Sequence, residues 1–198
     1  MKRISTFLLA MLLIGCQGEQ NGSPEAISDN NPAAETGEDS LSFSSQKNEP
    51  DTTTQSALEG MGAVVVPNPN GGIKSVIFEG SNLNEGAITL VTQIPELEIL
   101  SLSGVSIKDS DLDGIGKLKN LKVLLLGSTP VTDAGLIHLV SLSELERLGL
   151  GDTQITDAGL KQLQSLKSLK MLFLGKTGVT DKGIAAFREA VPDCQIER

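Results

Sequence analysis

The chain has 198 residues, enough for one ordinary domain with appended segments. Its formal net charge of −9 argues against a nucleic-acid partner, because phosphate contacts need clustered Lys and Arg. It holds five Phe but no Trp and no Tyr, which disfavours stacking platforms for bases or sugar rings. Its two cysteines are too few for a disulfide framework.

Residues 1–15 have the features of a lipoprotein signal peptide. A basic pair precedes the apolar stretch "FLLAMLLI", which is too short to cross a hydrocarbon core of roughly 30 Å. The stretch ends in "LIGC", which resembles the bacterial lipobox, where cleavage leaves a diacylglycerol-bearing cysteine at the new N-terminus. The resemblance implies lipidation of Cys16 and anchoring in the bacterial cell envelope. Because Gln17 follows the cysteine, it favours the outer membrane of a Gram-negative cell, facing the periplasm or the exterior.

Residues 16–56 are predicted to be a lipidated, disordered tether. Residues 17–56 hold eight acidic residues and one basic residue, and their large apolar side chains are limited to Ile27, Leu41 and Phe43. Ordering a residue costs about 1–2 kcal/mol, whereas burying a large apolar side chain returns about 1.5–3 kcal/mol. Three such side chains cannot offset the ordering of this whole segment, so we expect a flexible spacer reaching roughly 35 Å.

From residue 73 onward the apolar residues recur with a period of 24. Five consecutive copies each have apolar residues at positions 1, 4, 6, 11, 16, 19 and 22; they begin at Ile73, Leu97, Leu121, Leu145 and Leu169. Positions 4 and 6 suit a short strand, and positions 16, 19 and 22 suit one face of a short helix. One such unit cannot bury both of its faces, so the copies are predicted to stack.

Three Thr-Asp pairs stand just before the predicted helices, and they predict helix N-caps: Thr132-Asp133, Thr156-Asp157 and Thr180-Asp181. Gly135, Gly159 and Gly183 follow in the first helical turn, where the absence of a side chain would permit close packing. They lack the G-x-G or G-K-[ST] context of a phosphate cradle.

The repeated unit resembles leucine-rich repeats, and most closely the T-x-I/V-T-D-x-G-L kind common in bacterial envelope proteins. The resemblance implies an α/β fold, a short right-handed horseshoe with a parallel sheet on its concave face and short helices on its convex face. Five 24-residue repeats would fill residues 73–192. Residues 57–72 would form an N-terminal cap with a strand at 63–66, and residues 193–198 a C-terminal cap with Ile196 at position 4.

Position 9 of the unit carries Thr129, Thr153 and Thr177 where the family usually has Asn. Their hydroxyls are predicted to form a ladder to backbone groups of the adjacent turns. Val105 occupies the same position in the second copy, so the ladder is predicted to break there.

The stretch "DSDLDG" at 109–114 resembles the start of a calcium-binding loop. Such a loop needs a bidentate Glu at its twelfth position, which is Asn120 here. In the repeat register, Asp109 aligns with Asp133, and Leu112 aligns with a core position. We therefore predict a diverged repeat whose extra carboxylates face water, and no metal site.

Nothing in the sequence specifies catalysis. His138 falls at an outward position of the third copy, and Cys194 falls in the C-terminal cap as a buried or half-buried structural thiol. No paired carboxylates, metal-ligand cluster or nucleophile elbow accompanies them. We expect a protein that is not an enzyme, with no cofactor and no small-molecule substrate.

Positions 3, 5 and 7 of each copy point outward from the predicted sheet, on the face expected to be concave, which is called the open face below. They form a small-residue floor beside an apolar stripe, and the residues predicted to contact a partner are Ile77, Ile99, Val123, Leu125, Arg147, Met171 and Phe173. Exposed apolar clusters often mark protein-binding surfaces. The expected function is a membrane-anchored protein-interaction module with an unidentified protein partner. The alternative is a structural lipoprotein associated with wall or polysaccharide.

Overall fold

The computed structural model describes residues 52–78, 80 and 85–198. The predicted signal peptide, Cys16 and nearly all of the predicted tether lie outside these residues. The helices are α1 (Thr52–Gly60), α2 (Glu85–Val91), α3 (Leu112–Ile115), α4 (Asp133–Leu136), α5 (Asp157–Gln162) and α6 (Asp181–Ala190). Short 3₁₀ turns span Asp109–Asp111, Leu139–Ser141 and Leu163–Ser165.

The strands form one seven-stranded sheet in chain order. They are β1 (Ala63–Pro67), β2 (Ile73–Phe78), β3 (Ile99–Ser101), β4 (Val123–Leu125), β5 (Arg147–Gly149), β6 (Met171–Phe173) and β7 (Gln195–Glu197). From β2 onward every neighbour is parallel, and each residue pairs with the residue 24 positions later, as Val76 does with Leu100. The predicted α/β solenoid of stacked strand–helix units is therefore confirmed.

The core lies between the sheet and the helices, and it consists of the seven repeated apolar positions. Position 4 is fully buried in all five copies, at Val76, Leu100, Leu124, Leu148 and Leu172. Among the described residues at the other six positions, all are buried except the half-buried Ile88 and Ala190. Because each coil contributes only about seven apolar side chains, each coil depends on its neighbours for burial.

The turn after each strand requires a left-handed backbone at position 8. Glycine meets this need in the first two copies, at Gly80 and Gly104, whereas Ser128, Asp152 and Lys176 adopt φ values of 55 to 59°. A residue with a Cβ pays about 1–2 kcal/mol for this conformation. The last three copies therefore carry a local strain that the surrounding stack maintains.

The position 9 hydroxyls do not link neighbouring turns, so that prediction is wrong. Thr129, Thr153 and Thr177 each donate to the carbonyl three residues earlier in the same copy, at 2.6, 2.5 and 2.8 Å. In the second copy the backbone N–H of Val105 donates to Leu102 instead. Each hydroxyl provides a hydrogen bond to the position 6 carbonyl of its own copy, because the sharp turn brings that carbonyl within reach.

A different set of side chains links one copy to the next. The Asp109 carboxylate accepts hydrogen bonds from both the backbone N–H and the hydroxyl of Thr132, at 2.9 and 2.5 Å. Asp133 does the same for Thr156, and Asp157 does the same for Thr180. Hydrogen bonds to an ionised carboxylate are about twice as strong as neutral ones. These bonds hold the pKa of the Asp157 carboxyl below its ordinary value.

The Thr and the Asp of each pair thus have separate tasks. Thr132, Thr156 and Thr180 are the helix N-caps, as predicted, and their hydroxyls accept from first-turn backbone N–H groups. The following Asp belongs to the helix, and the carboxylates of Asp133 and Asp157 reach forward to the next copy. A hydroxyl both donates and accepts, so one Thr can cap its own helix and bind the preceding coil.

The glycine of the T-D-x-G motif makes room for this carboxylate. A Cβ on Gly135 would lie 2.5 Å from Oδ1 of Asp109, and a Cβ on Gly159 or Gly183 would meet the Asp of its preceding coil at still closer range. The prediction that these glycines permit close packing is confirmed. The atom nearest to each added Cβ belongs to the carboxylate of the preceding coil.

The two ends of the sheet differ in direction. At the N-terminal end, β1 runs antiparallel to β2, and the fully buried Leu58 of α1 covers the core. The strand matches the prediction, but α1 begins at Thr52, inside the segment predicted to be a disordered tether through residue 56. At the C-terminal end, Ile196 pairs with Leu172 as predicted, and Arg198 donates to Asp181 and to the Val179 carbonyl. No helix in the described part of the chain is long and apolar enough to cross a membrane.

The stretch at 109–113 allows a matched test of the link between copies. Asp109→Ala removes two hydrogen bonds and leaves the partly buried Thr132 N–H without its acceptor, so the free energy of unfolding should fall by about 1–3 kcal/mol. Asp113→Ala, four residues away, removes an exposed pair with Lys117 and a partly exposed contact with His138, and it should change stability little. Urea unfolding of the two variants checks this, and equal midpoints would contradict the proposed role of Asp109.

Candidate functional site

The open face is built from two rows of side chains that cross the sheet. Residues opposite each other in register point to the same side, so the register defines each row. The first row contains Val66, Ser75, Ile99, Val123, Arg147, Met171 and Gln195. The second row contains Val64, Ile77, Ser101, Leu125, Gly149, Phe173 and Glu197.

The structure brings all seven predicted partner-binding residues onto this face. Six of them are half-buried: Ile99, Val123, Leu125, Arg147, Met171 and Phe173. Neighbouring strands lie about 4.8 Å apart, so adjacent side chains in a row shield one another and leave their outer parts exposed. The six form a continuous patch, since every strand from β3 to β6 contributes to it.

Ile77 does not belong to the accessible patch, and its prediction is corrected here. Its side chain lies on the open face but is only 7% exposed. The repeat pattern treats β2 as the first strand of the sheet, whereas β1 pairs with it and places Val64 directly opposite Ile77. Val64 and Ser101 thus flank Ile77 in its row, and Ile77 is more deeply covered than the half-buried patch residues of β3 to β6.

Val64 and Val66 lie on the same face at the β1 edge, separated from the patch by the buried Ser75 and Ile77 of β2, and both are missing from the predicted set. They are 56% and 38% exposed and lie in the second and first rows, respectively. The signal was present, because the run Ala63–Pro67 was predicted as a strand and alternate residues of a strand share a face. Because this run was interpreted only as a cap, its outward side chains were not included in the predicted binding surface.

Glycines and serines form the floor between the apolar side chains. A Cβ on Gly149 would lie 3.0 Å from Cδ2 of Leu125, so the Leu125 side chain leans over this glycine. Beyond the strands, a Cβ on Gly127 or Gly151 would approach the carbonyl oxygen of the next glycine along, at 3.4 and 3.3 Å. The floor is therefore set by close approach of successive turns, and it presents no polar pocket.

A row of alternating charges lies beside the open face, at position 2 of the five copies. Its members are Lys74, Glu98, Lys122, Glu146 and Lys170. Glu98 lies 3.8 Å from Lys74 and 3.4 Å from Lys122, and Lys170 lies 2.8 Å from Glu146. Each pair is partly exposed and contributes little alone. The alternation of Lys and Glu is visible in the sequence at a spacing of 24. Because neighbouring side chains have opposite charges, each Glu in this row offsets the charge of a Lys beside it.

Each carboxylate of the stretch at 109–113 contacts a different protein group. Asp109 serves Thr132, Asp111 accepts from the Lys108 N–H at 2.8 Å, and Asp113 pairs with Lys117 at 2.8 Å. The expectation that the extra carboxylates face water is wrong for Asp111, which is half-buried and caps its own turn. Within the described residues, no group of three or more His, Cys, Asp or Glu side chains could hold a metal ion.

His138 and Cys194, the two residues considered for reactivity, are both at least partly covered by the fold. His138 is half-buried, with Nδ1 3.6 Å from Oδ1 of Asp113 in the preceding copy. The Lys117 ammonium is the main cause that holds the pKa of the Asp113 carboxyl below its ordinary value. Cys194 is 5% exposed, as predicted, and burial raises the pKa of its thiol from 9.0 to about 11.

Known proteins were compared with the chain. No protein-family model matches the sequence, and no curated protein matches it either. Among solved structures, a leucine-rich-repeat protein of Leptospira interrogans is 27% identical with a TM-score of 0.48, and the match covers 64% of this chain and 31% of that one. Internalin C2 of Listeria monocytogenes is 25% identical with a TM-score of 0.47, covering 55% of this chain and 44% of that one.

A third neighbour is the leucine-rich-repeat ectodomain of the Arabidopsis thaliana receptor kinase SOBIR1, at 14% identity and a TM-score of 0.45. That match covers 76% of this chain and 93% of the ectodomain. For the two bacterial neighbours, the match spans less than half of their own length. All three neighbours are leucine-rich-repeat proteins, and all three TM-scores are below 0.5. The solenoid architecture of this chain is therefore derived from its own strand register.

The shielding of Cys194 can be measured directly. In the full chain carrying Cys16→Ser, Cys194 is the single thiol. A thiol pKa raised from 9.0 to about 11 lowers the thiolate fraction at pH 8 roughly 100-fold, and the thiolate is the reactive form. Maleimide labelling should therefore be at least about 100-fold slower in the native protein than in urea. Equal rates in both conditions would show that the C-terminal cap does not cover this side chain.

Proposed function

We propose that this chain is a protein-interaction module that binds an extended or flat protein surface through its open face. The observation that supports this most is the continuous apolar patch across β3 to β6, with Arg147 as its charged member. Met, Phe and Arg are enriched at protein interfaces, and Lys and Glu are depleted there. The patch itself contains no Lys and no Glu, and a row of Lys and Glu side chains lies beside it at position 2.

The proposal is also supported by where the polar side chains of the stack make their contacts. Carboxylates on the helix side bind the next coil, and the position 2 charges pair with each other, so both sets have structural work within the stack. The apolar side chains of the patch make no such polar link, and their strands pair through backbone hydrogen bonds. Covering the apolar surface that these half-buried side chains still expose would release about 25 cal/mol per Å².

The patch is small for a stable complex. Fifteen residues occupy positions 3, 5 and 7 of the five copies, and Ser75, Ile77 and Ser101 among them are buried. A standard interface uses about 20–30 residues on each side. The proposed contact is therefore modest in affinity for one copy. Tethering both proteins at one membrane would offset this by raising their effective concentration.

A structural role on wall polymer is the second candidate. Small-residue floors can lie against polysaccharide, but carbohydrate sites use stacked aromatic rings, and the chain has no Trp and no Tyr. Co-sedimentation with purified peptidoglycan separates the two functions. Binding to wall material that survives Leu125→Asp would favour the structural role. We propose no catalytic activity, because the titratable groups described above serve contacts between coils.

Site-specific crosslinking tests the open face in cells. A photoreactive residue in place of the half-buried Val123 should capture a discrete partner, whereas the same residue at Ile137, which is 54% exposed on the helix side, should not. Leu125→Asp combined with Phe173→Asp should weaken capture at least roughly thirtyfold, since a buried hot spot contributes about 2 kcal/mol. Urea unfolding must show that the double variant remains folded. Equal capture from both positions would reject the open face as the binding surface.

The proposed location is the bacterial cell envelope, with lipid on Cys16 as the anchor. Stable membrane binding needs two or more lipid signals, and a lipidated N-terminal cysteine would carry several acyl chains. The acidic, polar composition of residues 17–51 suits a spacer between membrane and solenoid.

Fractionation tests the anchor. After expression of the full chain in a bacterial host, the wild-type protein and Cys194→Ser should sediment with membranes, and Cys16→Ser should be released. The wild-type N-terminal peptide should also carry the added mass of the acyl chains. Membrane association of Cys16→Ser equal to that of the wild type would contradict lipid anchoring.

A further inference from the structure

The two edges of the sheet are protected to different degrees. In the described part of the chain, β1 and β7 each have one strand neighbour, so alternate backbone N–H and C=O groups point away from the sheet. β7 is only three residues long, carries Glu197 and is followed by Arg198. Short length and charge are the usual protections against strand addition. β1 is five residues long, and residues 61–73 contain no charged side chain, so Pro67 is its main protection.

The β1 edge also carries most of the exposed apolar surface outside the patch. Three large hydrophobic side chains are classed as exposed among the described residues, namely Val64, Val66 and Ile137. Two of the three lie on this single strand, at 56% and 38% exposure, on the same side of the sheet. An uncharged edge strand with exposed β-branched residues is a template for pairing with another strand.

We propose that two copies of this chain pair through β1, in antiparallel orientation about a two-fold axis at Val65. This register places Val64 opposite Val66 of the partner subunit, and Val66 opposite the partner's Val64. Four valines then form two cross-strand pairs on the open face, a contact that suits β-branched side chains. The strand has no charge to repel its own copy, and the two-fold arrangement closes after two subunits.

A second copy fits this edge better than the other end of the solenoid does. Head-to-tail pairing of β1 with β7 would place Glu197 beside the exposed valines and desolvate its carboxylate without a partner. It would also propagate without closing, since both edges would be used in each subunit. The symmetric pair leaves the charged β7 edge in water.

The two-fold axis runs perpendicular to the sheet, so both open faces point the same way. The six-residue patches of the two copies then face the same direction, and together they come closer to the 20–30 residues of a standard interface than one copy does. This last consequence rests on the proposed function, whereas the pairing itself does not. One five-residue strand is a small contact, so we expect a dissociation constant in the micromolar range for the free chain.

Sedimentation velocity of the full chain carrying Cys16→Ser tests the pairing without any partner protein. Dimers should appear with rising concentration, and Val64→Lys combined with Val66→Lys should weaken dimerisation at least about tenfold. Ile137→Lys is the matched control, because that side chain is as exposed as Val64 but lies on the helix side, and it should leave the dimer intact. A monomer at all concentrations up to about 100 µM, or a dimer unaffected by the lysines, would overturn the proposal.

Disulfide trapping gives an answer that does not depend on how the lysine variants fold. Val64→Cys combined with Val66→Cys, in the same Cys16→Ser background, should give a covalent dimer on mild oxidation. Ile137→Cys should remain monomeric, and Cys194 is buried and should not interfere. Head-to-tail pairing would place the new cysteines beside β7, which contains no cysteine, and would therefore give no covalent dimer. Absence of the trapped dimer would reject the two-fold arrangement.

Discussion

The whole structure depends on burial that one coil cannot achieve alone. Each 24-residue copy supplies a few apolar side chains to a core whose other walls are the neighbouring copies, so the free energy of folding lies largely between coils. The constraint is strict at position 4, where five residues are fully buried in a line: Val76, Leu100, Leu124, Leu148 and Leu172. Any insertion inside a copy would move this line out of register with its neighbours.

Polar links then fix the stacking distance that burial alone would leave loose. The Asp109 carboxylate reaches Thr132 of the following copy, and Gly135 is needed because a Cβ there would occupy the place of that carboxylate. The link begins at the second copy, because Asp109 is the first Asp at this position. It ends at Asp181, which has no following Thr and binds Arg198. The contact of the position 13 Asp therefore distinguishes a copy that is followed by another full copy, where it binds a Thr, from the last copy, where it binds Arg198.

The sequence predicted what repeats and missed what does not. The period of 24 determined the strand register, the core and the N-caps, because each copy confirmed the others. It could not show that β1 reverses direction, so Ile77 was expected to be accessible although Val64 lies beside it. It also could not show which atoms the repeated polar residues contact. Thr129 bonds within its own turn, and Asp133 bonds to the next coil, although both recur at the same interval.

The open face differs from the rest of the surface because the repeat places no structural demand on it. Elsewhere the recurring polar residues are committed: Asp109 to Thr132, and Glu98 to two lysines. The strands pair through backbone hydrogen bonds and bury their inner face in the core, and the side chains at positions 3 and 5 vary from Ser and Gly to Phe and Arg. The two rows of the open face nevertheless keep Ile99, Val123, Leu125, Met171 and Phe173, which leaves part of their apolar surface in water. Covering that remaining surface is favourable, so its benefit arises when another surface binds there.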